Sequence, residues 1–337
     1  MAPSPAGPRV RPSKSARPKR TRKLPVGRTL LAVVVLLAVA LVASVVYFDS
    51  KLHRTDALAS YSGRPGDTPG TNWLLVGSDT RQGMTAAQQK EYSTGGDLGA
   101  GRTDTIMLVH IPPSGKPLLI SIPRDIYVPV PGQGSYKINA AYYLGGPKLL
   151  QRAFEEKSGV HIDHYAEIGF GGFASVVDAV GGVKMCLDAP LRDPKAGLNL
   201  ARGCQTLNGR TALGYVRSRN FPQADLMRVQ HQRQFLSALM DKVTSPGTLI
   251  NPFALWGVAS GGVDALTVDR KTHIWDLARL AWALSGSPTT VTTPTDGSES
   301  TDDGDALVWG SDTDKFFDYI KAGQPVPQDL LGTGSAG

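Results

Sequence analysis

An uninterrupted apolar segment near the N-terminus limits where the rest of this 337-residue chain can fold. Residues Leu30–Phe48 read LLAVVVLLAVALVASVVYF, and only Ser44 and Tyr47 have a polar atom in the side chain. As a helix this segment is about 28 Å long, close to the thickness of the hydrocarbon core of a bilayer. We therefore predict a transmembrane helix over residues 29–49, with the remaining domains outside the hydrocarbon core.

Positive charge is concentrated before the apolar segment. Residues 1–28 contain nine Lys and Arg residues and no acid, whereas residues 29–337 have a formal net charge of −2. Because an excess of Lys and Arg marks the cytoplasmic side, we expect a cytoplasmic N-terminus and an extracellular domain. One alternative is a cleaved signal peptide, whose apolar core is normally shorter, about 7–15 residues. The basic residues could also form a nucleic-acid-binding tail, but their position directly before the apolar segment favours a topology signal. No nucleic-acid partner is predicted.

Composition divides the chain into six parts. Apolar residues make up 41% and charged residues 19% of the sequence, as in folded proteins. The predicted parts are a basic cytoplasmic tail (1–28), the transmembrane helix (29–49), a linker (50–70), the main domain (71–245), a C-terminal extension that packs on it (246–322) and a flexible tail (323–337).

Short β-like runs and helical patterns alternate from Asn72 onward. The β-like runs are Trp73–Val76, Thr105–Ile111, Leu118–Ile122, Tyr165–Phe170, Val183–Leu187 and Leu213–Arg217. Helical patterns cover Lys148–Lys157, Phe173–Val180, Asp225–Val243, Thr272–Leu284 and Asp312–Ala322, with Asp225 as an N-cap. This mixture predicts a layered α/β sandwich. Residues Thr289–Gly304, rich in Thr, Ser, Asp and Gly, are predicted to form a mobile loop.

The two cysteines of the chain are candidates for a disulfide. Cys186 and Cys204 flank a segment that contains Pro, Gly and Asp. An extracellular domain lies in an oxidising environment, which permits disulfides. A Cys186–Cys204 bridge is therefore predicted, with two buried free thiols as the alternative.

Common catalytic signatures are absent from the sequence. It contains no GxSxG, HExxH or GxxxxGK[ST] motif. His161 and His164 are the only close histidine pair, and without a third ligand they predict an exposed turn rather than a zinc site.

Arginines and carboxylates instead recur at the ends of the β-like runs. They lie in GSDTR (77–81), GRTDT (101–105), SIPRD (121–125), YVRSRN (215–220) and DLMRVQHQRQ (225–234). Arg217 and Arg219 would share a face of an extended segment, and Arg228 and Gln232 are neighbours on one helix face.

Such residues suit a phosphate-rich ligand held together with a divalent cation. The guanidinium fork matches phosphate oxygens and stays charged when desolvated. Asp79 and Asp104 offer the hard oxygen ligands that Mg²⁺ prefers. Ordinary Arg–Asp salt bridges that cap strands are the alternative.

The same motifs, together with YKINAAYYLGG (136–146) and DAVGGV (178–183), resemble successive motifs of the LytR–CpsA–Psr family. The resemblance runs in order from about Asn72 to Val243. It implies a three-layer α-β-α sandwich with a central mixed sheet, preceded by one transmembrane helix. It also implies a phosphotransferase that moves a glycopolymer from a polyprenyl-pyrophosphate carrier onto peptidoglycan.

The resemblance also assigns roles to individual residues. It implies catalytic roles for Asp79, Asp104, Arg102 and Arg124, pyrophosphate binding by Arg124, Arg217, Arg219, Arg228 and Gln232, and Mg²⁺ binding by Asp79 and Asp104. Faces of Leu226–Val243 and Lys148–Lys157 are candidates for an apolar slot that holds the isoprenoid tail, although core packing explains these residues at least as well.

The expected partners are the lipid-linked glycopolymer, peptidoglycan and membrane lipid. Three other classes of function remain open: a membrane-anchored transcriptional regulator, a wall-binding module without activity, and a polyprenyl-pyrophosphate phosphatase.

Overall fold

The computed structural model describes residues 26–80, 84–92, 103–218 and 224–332. The helices are α1 (Val26–Lys51), α2 (Ala86–Glu91), α3 (Ile138–Ser158), α4 (Phe170–Ala179), α5 (Gly209–Arg217), α6 (Ala224–Val243), α7 (Pro246–Leu249), α8 (Pro252–Ala265), α9 (Ile274–Ser285), α10 (Ser311–Lys321) and α11 (Gln328–Gly332). The strands are β1 (His53–Thr55), β2 (Thr71–Ser78), β3 (Thr103–Ile111), β4 (Leu118–Ile122), β5 (Ile126–Val130), β6 (Gly134–Lys137), β7 (His164–Ile168), β8 (Val183–Leu187), β9 (Leu191–Asp193), β10 (Leu198–Leu200), β11 (Gly203–Leu207), β12 (Leu266–Asp269), β13 (Thr289–Thr292), β14 (Ser298–Thr301) and β15 (Gly304–Val308).

A seven-stranded mixed sheet forms the centre of the fold, in the order β1-β12-β7-β2-β3-β4-β13. Successive side chains of a strand point to opposite sides of the sheet, and those of the middle strands are buried on both sides because helices pack on each. Leu74 and Val76 pack with α3 and α10 on one face, where Phe154 and Phe317 are buried. Trp73 packs on the other face in the cluster to which α8 and α9 contribute. The predicted α-β-α sandwich with a central mixed sheet is confirmed.

The predicted apolar segment forms a single helix. From Gly27 to Lys51 this helix is long and apolar enough to cross a membrane once. The last turn of α1, from Tyr47 onward, belongs to the same compact unit as the other described elements. Phe48 and Leu52 are buried there, and the Asp49 carboxylate accepts a hydrogen bond from the Ile274 backbone N–H at 3.0 Å.

Residues 50–70, predicted as a linker, are built into the fold. β1 pairs in parallel with β12, and Ala57 is fully buried. The guanidinium of Arg64 reaches the buried carboxylate of Glu155 in α3, with an Nη2–Oε1 distance of 2.8 Å. The composition of a linker is present, but long-range pairing orders the segment.

The C-terminal segment also joins the central sheet rather than only packing on it. β12 lies between β1 and β7, and β13 extends the opposite edge by pairing in parallel with β4. The segment Thr289–Gly304, predicted as a mobile loop, therefore includes β13, and it also contains β14. In the predicted flexible tail, residues 328–332 form α11 and Leu330 is buried. The mobile-loop prediction was wrong because local composition does not reveal pairing with distant strands, whereas residues 333–337 of the predicted tail lie outside the described residues.

The predicted strand Leu213–Arg217 is instead the end of helix α5. The Asn208 side chain accepts a hydrogen bond from the Thr211 backbone N–H at 3.0 Å and caps the helix. The helix buries Leu213 and Tyr215. Arg217 is therefore the last residue of a helix, and its predicted placement on an extended segment was wrong. Helix α6 begins at Ala224, so Asp225 is inside its first turn rather than at the predicted N-cap.

Cys186 and Cys204 face each other across the antiparallel pair of β8 and β11 and form a disulfide. This strand pair packs on a separate cluster of buried apolar residues from α4, α5 and α6, which includes Val177, Tyr215 and Phe235.

Burial of His110 predicts a loss of stability in mild acid. His110 is 3% exposed, and its Nδ1 lies 2.7 Å from Asn72 Oδ1, an acceptor, so Nδ1 donates. Burial lowers the pKa of His110 from 6.5 to about 4, so the unfolded chain takes up its proton at higher pH than the folded chain. The free energy of unfolding should therefore fall by about 3 kcal/mol between pH 6.5 and 4 from this group.

Denaturant unfolding at a series of pH values measures this effect, with His110→Gln as the comparison. The Gln side chain is neutral at every pH, so the free energy of unfolding of the variant should depend less steeply on pH between 6.5 and 4. Equal slopes for both proteins would contradict the assignment.

Candidate active site at one end of the central sheet

Three of the predicted site residues lie where neighbouring strands of the central sheet end. β2 and β3 are antiparallel, with Ser78 opposite Thr103, so Asp79 follows β2 at the end where β3 begins, and Asp104 is the second residue of β3. β4 is antiparallel to β3, with Ile122 opposite Ile106, and Arg124 follows it at the same end. We call this end of the sheet, where β2, β4 and β7 terminate, the site end. The sequence placed these groups at strand ends, and the register brings them to one place.

Arg124 and Asp104 form the closest ion pair at the site end among the described residues. Arg124 Nη1 lies 2.5 Å from Asp104 Oδ1, and Arg124 Nε lies 3.2 Å from Asp125 Oδ2. Lys137 Nζ is 4.0 Å from the other oxygen of Asp125. The Arg124 side chain is 21% exposed and that of Asp104 is 43% exposed. The guanidinium is thus held in position while the pair remains open to solvent and to a ligand.

The backbone around Arg124 is fixed by the start of α3. The Asn139 N–H donates to the Arg124 carbonyl at 3.3 Å. α3 contains a break at Gly145 and Gly146, and Gly146 has a φ of 67°, which favours glycine. The predicted helix over Lys148–Lys157 is confirmed after this break, whereas the part before it was missed.

A half-buried carboxylate beside the site end was missed by the sequence analysis. Tyr142 Oη donates to Glu167 Oε1 at 2.6 Å, and Tyr165 Oη donates to Glu167 Oε2 at 2.7 Å. Glu167 pairs in register with Val76 of β2, three residues before Asp79. No spacing links positions 142 and 167, so only the register of β7 on β2 reveals this group.

Electrostatics keep both tyrosines protonated. Burial, followed by the Glu167 charge, raises the pKa of Tyr142 above its ordinary value, and the charge of Asp79 adds to the effect. Burial and the Glu167 charge also raise the pKa of Tyr165. Neither phenol therefore serves as a base at neutral pH, and both act as donors that orient Glu167.

Arg217 reaches the site end from α5. Its guanidinium carbon lies 4.6 Å from the centre of the Phe170 ring, and its Nη1 donates to the Tyr92 carbonyl at 3.2 Å. Phe170 begins α4 directly after β7, whose Ile168 is opposite Gly77 of β2. Gln232 lies next to Arg217, because its Nε2 donates to the Val216 carbonyl at 3.1 Å.

The remaining predicted site residues are only partly described. Arg102 and Arg219 lie outside the described residues. Arg228 lies in α6, one turn before Gln232. Their roles stay predictions.

The predicted metal ligands are the two carboxylates of Asp79 and Asp104. Within the described ranges no group of three or more His, Cys, Asp or Glu residues is placed to hold an ion. Asp79 and Asp104 fit Mg²⁺, which usually takes one or two carboxylates and completes its shell with water and substrate phosphate. The His161–His164 pair is half-buried and does not lie on the predicted exposed turn. The Nδ1 atom of His161 lies 3.0 Å from the Pro65 carbonyl oxygen, and that of His164 lies 3.0 Å from the Thr272 hydroxyl.

Comparison with known proteins gives a family-level match over most of the chain. The model of the LytR_cpsA_psr family matches residues 44–305. The "Probable cell wall biosynthesis protein LcpB" of Corynebacterium glutamicum is 52% identical over 261 residues, which cover 77% of this chain and 63% of that protein. The chain therefore spans less than two thirds of the length of that relative.

Solved structures share the fold. TagT bound to LI-WTA is 25% identical with a TM-score of 0.55, and the match covers 78% of this chain and 90% of that one. A LytR-Csp2A-Psr enzyme from Actinomyces oris has a TM-score of 0.61 at 23% identity, with coverage of 80% and 96%.

Proposed function

This chain belongs to the LytR–CpsA–Psr family, and from that premise we propose that it is a membrane-anchored phosphotransferase. It moves a glycopolymer from a polyprenyl-pyrophosphate carrier onto peptidoglycan and forms a phosphodiester. Two similar proteins favour a role in the cell wall: the "Probable cell wall biosynthesis protein LcpB" and TagT bound to LI-WTA.

The placement of Arg124 and Arg217 at one end of the sheet carries the proposal. Arg124 is fixed by Asp104 and Asp125, and Arg217 is fixed over the Phe170 ring. Positioned guanidinium groups bind the oxygens of a diphosphate without a large loss of side-chain freedom. A structural salt bridge alone would not require a second, separately supported arginine at this end.

The reaction is a displacement at the phosphorus nearest the sugar. A hydroxyl oxygen of peptidoglycan bonds to this phosphorus, the bond to the bridging oxygen breaks, and polyprenyl phosphate leaves. Asp79 or Asp104 accepts the hydroxyl proton. Phosphoryl transfer depends on positioning and on neutralising oxygen charge more than on covalent help.

The cationic residues have separate tasks in this scheme. Arg124 and Arg217 neutralise the diphosphate and the charge that develops on the leaving phosphate, and Arg102, Arg219 and Arg228 are proposed to assist. Gln232 orients a phosphate or sugar oxygen. The cleaved anhydride supplies the driving force, so no nucleotide is needed.

Mg²⁺ is the proposed cofactor, with Asp79 and Asp104 as its protein ligands. When bound it would supply positive charge at the diphosphate oxygens. Asp104, which pairs with Arg124 in the structure, and Asp79 would hold the cation, while Arg124 would remain a donor to the phosphate oxygens.

Membrane anchorage matches a substrate that stays in the bilayer. Helix α1 would hold the enzyme where a carrier with a long isoprenoid tail diffuses. The basic residues before α1 favour a cytoplasmic N-terminus and an extracellular domain.

Product analysis tests this function. The full chain is incubated with a polyprenyl-pyrophosphate-linked oligosaccharide, Mg²⁺ and peptidoglycan, and the products are identified by mass spectrometry. A phosphodiester-linked product with release of polyprenyl phosphate supports the transferase. Release of phosphorylated sugar without attachment indicates a phosphatase, and no turnover indicates a binding module. A DNA shift assay with residues 1–28 tests the regulator.

Removal of the Asp104 charge should strongly impair Mg²⁺-dependent turnover. Asp104→Asn is expected to lower kcat at least ~100-fold, because the amide neither accepts the hydroxyl proton nor binds a cation well. The Mg²⁺ concentration for half-maximal activity should also rise. Steady-state assays across a Mg²⁺ series measure both changes.

Asp188→Asn, at an exposed position outside the site, is the matched control and should behave like the parent chain. Unchanged turnover and Mg²⁺ response in Asp104→Asn would remove this residue from the proposed site.

A further inference from the structure

A long uncharged segment follows helix α6. No charged residue occurs between Lys242 and Asp264, and this segment contains α7 and most of α8. Its large apolar side chains are exposed, with accessible fractions of 44% for Leu249, 82% for Ile250, 86% for Phe253, 43% for Leu255 and 50% for Trp256. We call these five side chains the α7–α8 surface. Contiguous apolar exposure of this kind marks an interaction site.

The opposite side of α8 is packed, so the exposure is a fixed property of the fold. Val263 is 2% exposed in the cluster that also contains Phe48. Gly261 lies so close to Ala179 of α4 that a larger side chain would collide. α4 therefore holds α8 with Phe253 and Trp256 directed outward.

The α7–α8 surface is continuous with the end of the apolar helix. The Trp256 ring centre lies 4.7 Å from that of Phe48, edge to face, and 6.1 Å from that of Tyr47. The Trp256 and Tyr47 rings are stacked. Tyr47 is at the end of the apolar segment and is 49% exposed. Tyr and Trp concentrate at the level of lipid headgroups. The exposed surface thus continues the aromatic end of the apolar segment.

The residue that follows the apolar segment is bonded to helix α9. Asp49 directly follows Phe48 and accepts hydrogen bonds from His273, at 3.1 Å, and from the Ile274 N–H. Trp275, which follows Ile274 in the chain, is 46% exposed. A second aromatic side chain is therefore held close to the end of the apolar segment, at the start of α9.

We infer that the α7–α8 surface is a second membrane contact, which lies in the headgroup region of the bilayer beside the anchor. Its occupant is the lipid surface, since apolar and aromatic side chains without charge partition there. The contact fixes the orientation of the domain and goes beyond the proposed transfer reaction, on which it does not depend.

Fluorescence of a single labelled site in the full chain tests this contact. Phe253→Cys is labelled with an environment-sensitive nitrobenzoxadiazole dye, since the two natural cysteines are joined to each other. The protein is reconstituted in nanodiscs of phosphatidylglycerol and phosphatidylethanolamine that contain nitroxide-labelled lipid. Val39→Cys in α1 is the membrane-inserted reference, and exposed Ser298→Cys in β14 is the reference in water.

We expect a blue-shifted emission at position 253 and quenching at least about fivefold stronger than at position 298. Position 253 behaving like position 298 while position 39 is quenched would overturn the inference. Quenching by a nitroxide on a second copy, but not by labelled lipid, would assign the surface to a dimer and overturn it as well. Absence of quenching at position 39 would remove the anchor on which it rests.

A serine double variant provides a second measurement. Ile250→Ser with Phe253→Ser should leave the free energy of unfolding in detergent unchanged, because both side chains are exposed. In nanodiscs the same variant should lose the protection of residues 246–260 from hydrogen exchange that the parent chain shows. Equal exchange in both proteins would contradict a lipid contact.

Discussion

Arg124→Ala is expected to abolish glycopolymer transfer while the protein stays folded. The substitution removes the guanidinium that Asp104 and Asp125 hold at the site end. Loss of one charged donor to a transition state typically lowers kcat ~10²–10³-fold, and here the carboxylates would also repel the diphosphate. The free energy of unfolding should change by only about 1 kcal/mol, since the ion pair is partly exposed. Quantified phosphodiester product per unit time measures the effect.

Two further substitutions separate charge from geometry. Arg124→Lys keeps the positive charge but loses the planar fork, so it should recover only part of the activity. Arg270→Ala is the control and should transfer at the parent rate, because its exposed guanidinium pairs with Asp56 and follows β12 at the opposite end of the sheet from the site. Normal transfer by Arg124→Ala would reject the proposed site, and normal transfer by Arg217→Ala would reject its second arginine.

Arg64→Ala should cause a large loss of stability. The Glu155 side chain is fully buried, and Arg64 is its cationic partner, with Nη2–Oε1 and Nε–Oε2 distances of 2.8 and 2.9 Å. Tyr61 Oη and the Ile162 N–H also donate to this carboxylate. Removing the cation leaves a buried charge without compensation, which typically costs about 3–5 kcal/mol. Chemical denaturation in detergent measures the change.

A nearby pair and a double variant make this prediction specific. Arg152→Ala breaks an exposed pair with Glu156 in the same helix and should cost only ~0.2–1 kcal/mol. Arg64→Ala combined with Glu155→Gln should lose less than the sum of the single losses, because the buried charge is gone. Additive losses, or equal losses for Arg64→Ala and Arg152→Ala, would contradict the buried pair.

The sequence predicted much of the site end because its motifs follow strands. β2, β3 and β4 are consecutive and apolar, so residues after or before them lie at an end of the sheet. Strand order is a property of long-range pairing, however, and no local pattern shows that β12 enters between β1 and β7. The same limit explains why the segment 50–70 was predicted as a linker.

Helix α5 shows a second reason for failure. Leu213, Tyr215 and Val216 are typical of strands, and their run is short enough to be one. The Asn208 cap and the burial of Leu213 and Tyr215 decide for a helix instead. Glu167 was missed for a related reason, since its tyrosine partners are recognisable only once α3 and β7 are placed.

A complex with a short-chain polyprenyl diphosphate and Mg²⁺ tests the central claim most directly. A crystal structure of this complex should place the diphosphate at the site end, with its oxygens within hydrogen-bond distance of the Arg124 and Arg217 guanidinium groups. A diphosphate bound elsewhere on the domain, with both guanidinium groups contacting only protein, would contradict the account.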